Sequence, residues 1–160
     1  MDIILIYLAV AVVLFVAAYV AKRRFGLLGL ALAAGYLLSD IWGDEISLLA
    51  TGLGFGSGAV TSAVVTSVMV ILPPAVLMFH GYIYKNVIAR SVGAALFAVL
   101  ALAFLVEPLG RVFVPSGQAG QEVYDWIANN NLQLIAIGMT AAIIDVFMTK
   151  PVQLKNGRRR

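Results

Sequence analysis

The chain of 160 residues has no cysteine, one histidine and only 19 charged side chains, of which 11 are basic and 8 acidic. Without cysteine, the chain cannot build a disulfide framework, an iron–sulfur cluster, a zinc finger or a cysteine nucleophile. A single histidine leaves any metal site short of its usual ligands. We therefore expect no cofactor and no metal.

Most of the chain consists of apolar residues instead. The chain is 62% hydrophobic and 12% charged, with a mean hydropathy of +0.98. A soluble domain of this length cannot hide so much apolar surface in one core, so we expect lipid to be the solvent. The net charge of +3 comes from basic residues in short loops, which is typical of topology signals and not of nucleic-acid binding.

Five apolar stretches are long enough to cross a bilayer as helices, which takes about 20 residues each. They cover residues 3–21, 25–41, 59–84, 91–106 and 132–149. A further amphipathic stretch, residues 118–128, predicts a short interfacial helix with Tyr124 and Trp126 at headgroup depth. No repeat is present, so we predict one domain over residues 1–160, an all-α polytopic membrane protein.

The signs of the charges test these spans independently. Alternate loops place ten of the eleven basic residues on one side and seven of the eight acids on the other. Basic loops stay in the cytoplasm, so the N-terminus is predicted outside and the C-terminus inside, in a prokaryotic cytoplasmic membrane. At that C-terminus, four basic residues are predicted to fix the orientation and contact lipid headgroups: Lys155, Arg158, Arg159 and Arg160.

A glycine-rich segment follows the second span on the predicted outer side. It contains Thr51, Gly52, Leu53, Gly54, Phe55 and Gly56. These residues resemble the potassium-channel filter, a threonine and an aliphatic residue before Gly-aromatic-Gly. The resemblance implies a half-helix over residues 44–50, then a loop whose carbonyls replace the hydration shell of a monovalent cation. Gly52 and Ser57 depart from that pattern, since the family usually has a threonine and an acid there.

Two other interpretations of this segment stay open. Gly52 with Gly56, and Gly54 with Gly58, form small-xxx-small pairs that let membrane helices approach closely, here against the third span. The segment is also consistent with a re-entrant loop that has no role in transport.

Two consecutive prolines, Pro73 and Pro74, interrupt the third span near its middle. They remove the N–H groups that would bond to the carbonyls of Met69 and Val70, so we expect a bend. In channels and transporters such a bend is a hinge or lines a cavity. The alternative is a static kink that fits the bundle.

Two polar side chains are predicted at similar depth near the inner face, His80 and Asp145. If they meet, they form a pair able to relay protons or gate an opening. The alternative is that Asp145 is hydrated or pairs with a cation: Lys85, Arg90 or Lys150.

The remaining acids give no catalytic arrangement. Asp40 and Glu107, at the outer ends of spans two and four, are predicted to be ordinary interface residues. An intramembrane aspartyl protease needs two facing acids, and Asp145 is the only acid on the inner half of the spans. The single histidine lies on the opposite side from most serines and acids, which excludes a Ser–His–Asp triad. We therefore predict that the protein is not an enzyme.

The run from Gly26 to Gly35 after a basic turn, and the Arg90-Ser-Val-Gly93 segment, resemble small bacterial membrane proteins of the colicin V production type. That resemblance implies a non-enzymatic protein of the bacterial inner membrane, generally with four spans, and leaves the fifth span unexplained. Two functions follow from the sequence. One is a small homo-oligomeric pore or permeation-associated protein, and the other is a structural or assembly subunit of a membrane complex.

Overall fold

The computed structural model describes residues 3–56, 58–79, 86–110, 112 and 118–148. Within these residues the chain folds into five α-helices and no strand, which confirms the predicted all-α class. The helices are α1 (Ile3–Ala21), α2 (Phe25–Gly52), α3 (Ala59–Phe79), α4 (Val87–Gly110) and α5 (Gln118–Phe147).

Four of these helices, α2 to α5, are long and apolar enough to cross a bilayer. Helix α1 has no charged residue, but its 19 residues make it only about 28 Å long. That is just short of the hydrocarbon core of about 30 Å. The helices fit a multi-pass membrane protein.

Helix α4 is the centre of the bundle, because it packs against all four other helices. Its buried residues include Phe97, Leu100, Ala101, Phe104 and Leu105. They form one apolar cluster with Leu28 and Leu32 of α2 and with Val70 of α3. Helix α2 packs along α3 as a hairpin and also contacts α5.

Glycines allow α2 to approach α5 closely. A Cβ at Gly26 would lie 2.5 Å from the carbonyl oxygen of Ala142, and one at Gly29 would lie 2.9 Å from the Cβ of Ala142. Both distances are too short for a side chain, so α2 and α5 cross almost backbone to backbone. Gly26 and Gly29, two of the glycines quoted for the colicin V resemblance, therefore serve helix packing.

Basic and acidic side chains separate along the bundle. The end of the bundle where α1 joins α2 is here named the basic end. It carries Lys22, Arg23, Arg24 and Arg90. Arg23 connects this end to α3, since its guanidinium donates to the carbonyls of Met78 (2.9 Å) and Phe79 (2.8 Å). These are the last carbonyls of α3, which a cation stabilises. The opposite end carries Asp40, Asp44 and Glu107, and is named the acidic end.

Two predicted boundaries are corrected. Residues 44–50 are not a separate half-helix, because α2 continues without a break to Gly52. Residues 118–128 are not a separate interfacial helix, because they are the first part of the 30-residue α5. Hydropathy set the predicted boundaries, whereas neither junction contains a proline, and Gly43 alone costs a helix only about 1 kcal/mol.

The other helix bounds differ less. Helix α3 begins at Ala59 as predicted and runs to Phe79, while residues 80–84 of the predicted span lie outside the described residues. Helix α4 extends beyond the predicted residues 91–106 at both ends. Pro73 and Pro74 lie inside α3, which stays helical through both of them.

Candidate functional site: an acidic pocket between three helices

A polar cavity of about 190 Å³ opens between α2, α3 and α4, towards the acidic end. We name it the acidic pocket. Its lining includes three carboxylates and four hydroxyl groups, from Asp40, Asp44, Glu107, Tyr36, Ser39, Ser62 and Thr66. The remaining lining residues are Gly43 and Pro108. So many polar groups in one cavity between apolar helices mark a functional candidate, since carboxylates that line a cleft can attract ions.

Helical periodicity brings these side chains together. On α2, Tyr36, Asp40 and Asp44 follow one another at intervals of four residues, which places them on one face. On α3, Ser62 and Thr66 have the same spacing. Gly43 leaves space between the helices, because no atom lies within 4 Å of a Cβ built on it.

The carboxylates line the pocket without forming a compact cage. The three acidic side chains of the lining are exposed; they are Asp40, Asp44 and Glu107. Ser39 is buried and donates its hydroxyl to the Tyr36 carbonyl (2.8 Å). Among the described residues, no group of three His, Cys, Asp or Glu side chains is close enough to hold a metal ion. The pocket therefore offers a diffuse negative field, which suits a hydrated cation better than a tightly bound divalent metal.

The pocket ends next to the proline-interrupted part of α3. Gly35 adjoins Tyr36 along α2, and Val70 follows Thr66 by one turn along α3. A Cβ at Gly35 would lie 2.5 Å from the carbonyl oxygen of Val70 and 2.7 Å from that of Met69. These two carbonyls have no N–H donor four residues on, because Pro73 and Pro74 occupy those positions. The freed carbonyls thus face the bare backbone of α2.

Apolar packing closes the far side of the pocket. Leu32, one turn beyond Tyr36, and Val70, one turn beyond Thr66, are both completely buried. They belong to the central apolar cluster, together with Phe104 of α4. The polar pocket and the freed carbonyls are therefore adjacent, with a packed layer beneath them.

The predicted filter segment forms the turn that joins α2 to α3. The Thr51 hydroxyl lies 2.9 Å from the Ser47 carbonyl and 3.3 Å from that of Gly56. The Thr61 hydroxyl lies 3.0 Å from the Gly56 carbonyl and 3.2 Å from that of Phe55. Threonine hydroxyls therefore lie within hydrogen-bond distance of two carbonyls of this segment, those of Phe55 and Gly56.

The backbone of this turn depends on glycine at two positions. Gly54 has φ 91° and Gly56 has φ 80°, in the region that only glycine adopts readily. Leu53 and Phe55 are more than 70% exposed. Gly52 ends α2. This geometry explains the Gly-aromatic-Gly pattern as a hairpin turn with two exposed apolar side chains.

The small-xxx-small interpretation of the same segment is not supported among the residues that the structure describes. No atom lies within 4 Å of a Cβ built on any of its glycines, which are Gly52, Gly54, Gly56 and Gly58. The described glycines that do make close contacts with another helix are Gly26, Gly29, Gly35, Gly110 and Gly138.

Asp145 binds the start of α2. Its Oδ2 accepts a hydrogen bond of 2.9 Å from the backbone N–H of Gly26. Arg24, the N-cap residue of α2, makes no side-chain cap, so α5 supplies the carboxylate that satisfies this end. Neither sequence interpretation of Asp145 predicted a backbone partner.

Of the partners predicted for Asp145, only Arg90 lies among the described residues. The Arg90 guanidinium stacks over the Tyr19 ring at 3.6 Å from its centroid. His80, Lys85 and Lys150 fall outside the described residues, as do four predicted headgroup contacts: Lys155, Arg158, Arg159 and Arg160.

Sequence reasoning missed the acidic pocket, because it treated Asp40 and Glu107 as ordinary interface residues. The signal was present in the four-residue spacing of polar side chains on α2 and α3. No protein-family model, no curated protein and no solved structure matches the chain.

Proposed function

We propose that this chain is a non-enzymatic multi-pass membrane protein that admits monovalent cations through the acidic pocket. One observation carries the proposal: three carboxylates and four hydroxyls line a cavity in an otherwise apolar helical bundle. Packing in lipid does not by itself require such a group of polar side chains.

The chemistry of the pocket favours cations. Carboxylates within low-dielectric walls focus their field and raise the local concentration of positive ions. Further in, hydroxyl and carbonyl oxygens replace water around a monovalent ion. The carbonyls of Met69 and Val70 are suited to this role, since interrupted helices in transporters offer such oxygens to cations near the middle of the membrane. Passage then requires α2 and α3 to separate at Gly35.

The charge separation along the bundle supports an orientation with the basic end in the cytoplasm and the acidic end outside, as in a prokaryotic cytoplasmic membrane. Because the chain has no cysteine, single cysteines report on each end directly. Asn86→Cys at the basic end and Leu53→Cys in the α2–α3 turn should react with a membrane-impermeant maleimide from opposite sides of the membrane. Labelling of both residues from one side would contradict the orientation.

Ion flux into proteoliposomes tests the function. The wild-type protein should admit potassium or sodium, and Asp40→Asn with Glu107→Gln should lower the initial rate by about tenfold or more. The matched control is Glu45→Gln, since Glu45 is an exposed acid on α2 that does not line the pocket. Absence of flux in the wild type, or an equal loss in the control, would contradict the proposal.

The loop interpretation makes a different prediction in the same assay. If a ring of chains used residues 51–56 as a filter, Thr51→Val would abolish flux while the pocket variants would not. Gly54→Ala is a poor test, because the positive φ of Gly54 makes any side chain there strained.

A second candidate function is a structural or assembly subunit that conducts nothing, which is the role that the colicin V production resemblance implies. The observation that favours it is the polar face that α5 turns away from the bundle, described below. Absence of flux together with stably co-purifying partners would support this function.

A further inference from the structure

The face of α5 that points away from the bundle is polar in its middle. We name as the outward strip six exposed residues that lie within about 40° of one line along the helix, at 100° per residue. They are Glu122, Trp126, Asn129, Gln133, Ala136 and Thr140. Towards the basic end the same line continues with Ile144 and Phe147. The opposite side of α5 carries Ala142, which is completely buried against α2.

The other outer helices show what a lipid-facing surface looks like in this protein. Every described exposed residue of α1 is apolar, among them Leu8, Val12 and Val16. The exposed residues of α3 are also all apolar and recur every four residues, as Val60, Val64 and Val68 do. The outward strip of α5 is therefore a poor surface for lipid, although α5 belongs to the same bundle.

Among the polar residues of the outward strip that make no hydrogen bond to a described residue, Gln133 lies nearest to the middle of the hydrocarbon core. It lies 14 residues before Phe147, which places it about 21 Å from the basic end of α5 and within the hydrocarbon core. Its carboxamide has no hydrogen-bond partner among the residues that the structure describes. Thr140 needs no partner outside its helix, because its hydroxyl donates to the Ala136 carbonyl of α5 (2.8 Å). An unpaired amide in hydrocarbon is unfavourable, so Gln133 is expected to have a partner beyond the residues that the structure describes.

We propose that this partner is the Gln133 of a second copy of the chain, with α5 packed against α5 around a two-fold axis along the membrane normal. Copies inserted in one orientation present Gln133 at the same depth, and a symmetric interface brings each residue opposite its equivalent. A carboxamide is both donor and acceptor, so two of them are mutually complementary. Amides of this kind hydrogen-bond across membrane helices.

The rest of the outward strip suits this arrangement. Ala136, one turn from Gln133, is small enough for two helices to cross closely there. From that crossing the helices diverge, so the Glu122 carboxylates, 14 residues away or about 21 Å along the axis, end well apart near the aqueous surface. The dimer rests on the membrane placement given under the proposed function, but not on conduction.

Disulfide crosslinking tests the interface in a background without cysteine. Gln133→Cys, oxidised with copper phenanthroline in lipid vesicles, should give a covalent dimer. Leu8→Cys is the control, because Leu8 is 60% exposed on α1 and lies at a similar depth, about 20 Å from the basic end. It should stay monomeric. Equal crosslinking of both, or of neither, would overturn the proposal.

A second measurement avoids the cysteine side chain. Gln133→Leu should raise the dimer dissociation constant in the bilayer by about 3- to 30-fold, since one interhelical hydrogen bond is lost. Gln133→Asn keeps the amide and should recover part of that loss. An unchanged dissociation constant in Gln133→Leu would overturn the proposal. Cation flux is measured separately, so a dimer that conducts nothing would contradict only the proposed permeation.

Discussion

The backbone of Gly35 in α2 lies directly against the carbonyl oxygen of Val70 in α3, leaving only 2.5 Å for a Cβ. Two features of the sequence meet at this contact. Pro74 removes the N–H that would otherwise bind the Val70 oxygen, and Gly35 removes the side chain that would keep α2 away from it. The contact therefore couples the proline pair to the packing of the α2–α3 hairpin.

Gly35→Ala should destabilise the protein by about 1–3 kcal/mol, because the new methyl group forces α2 and α3 apart. Reversible unfolding in mixed detergent, followed by circular dichroism, measures this change. Gly43→Ala is the control on the same helix, where no atom lies within 4 Å of the new Cβ. Replacing that glycine should be neutral or stabilise the helix by up to about 1 kcal/mol. Equal effects at the two positions would contradict the close approach.

Pro74→Ala should restore the hydrogen bond between residue 74 and the Val70 carbonyl. The new amide should exchange slowly with deuterium, because position 74 is buried in the middle of α3. If the freed carbonyl takes part in cation passage, the same variant should also lower flux. An amide at position 74 that exchanges as fast as one in an unfolded chain would show that the Val70 oxygen has another role.

Asp145→Leu should destabilise the bundle by about 1 kcal/mol or more, since the Gly26 N–H loses its acceptor at the start of α2. Asp145→Asn keeps a side-chain oxygen and should lose less. Comparing the two variants by thermal unfolding separates loss of the acceptor from loss of the charge. Equal destabilisation by both would indicate that the charge of Asp145, and not its hydrogen bond to Gly26, matters.

Thr61→Val should loosen the turn between α2 and α3, because the carbonyls of Phe55 and Gly56 lose a hydroxyl donor. We expect a loss of about 0.5–1.5 kcal/mol and faster proteolysis near the exposed Phe55. Thr66→Val is a control on the same helix, since Thr66 lines the acidic pocket and not the turn. An equally fast cleavage in this control would mean that the hydroxyl of Thr61 does not hold the turn.

Hydropathy was enough to predict the helical class and the cores of the helices, because each apolar run must be shielded from water or solvated by lipid. It was a poor guide to helix ends. Helix α2 continues through Asp44 and Glu45 to Gly52 since these residues are compatible with a helix, even though they are too polar for a bilayer core. At such positions hydropathy predicts where the chain leaves the bilayer core, whereas helix propensity predicts where the helix ends.

The acidic pocket could not be predicted by considering each membrane span separately. Asp40 and Glu107 stand 67 positions apart in the sequence, and only the packing of α4 against α2 brings them to one cavity. The same holds for Asp145, whose partner Gly26 comes from the other half of the chain. The filter resemblance was local in sequence, and so are the hydroxyl contacts to the Phe55 and Gly56 carbonyls in the turn that it marks.

The central position of α4 has a consequence for how the protein is made. Helix α1 packs mainly on α4 and barely touches α3, yet it leaves the ribosome three helices earlier. Before α4 is inserted, α1 makes almost no contact with the α2–α3 hairpin. These helices therefore stay in the membrane without packing against each other. Final assembly therefore begins only when the fourth helix arrives, and α5 then closes over α2 and α4.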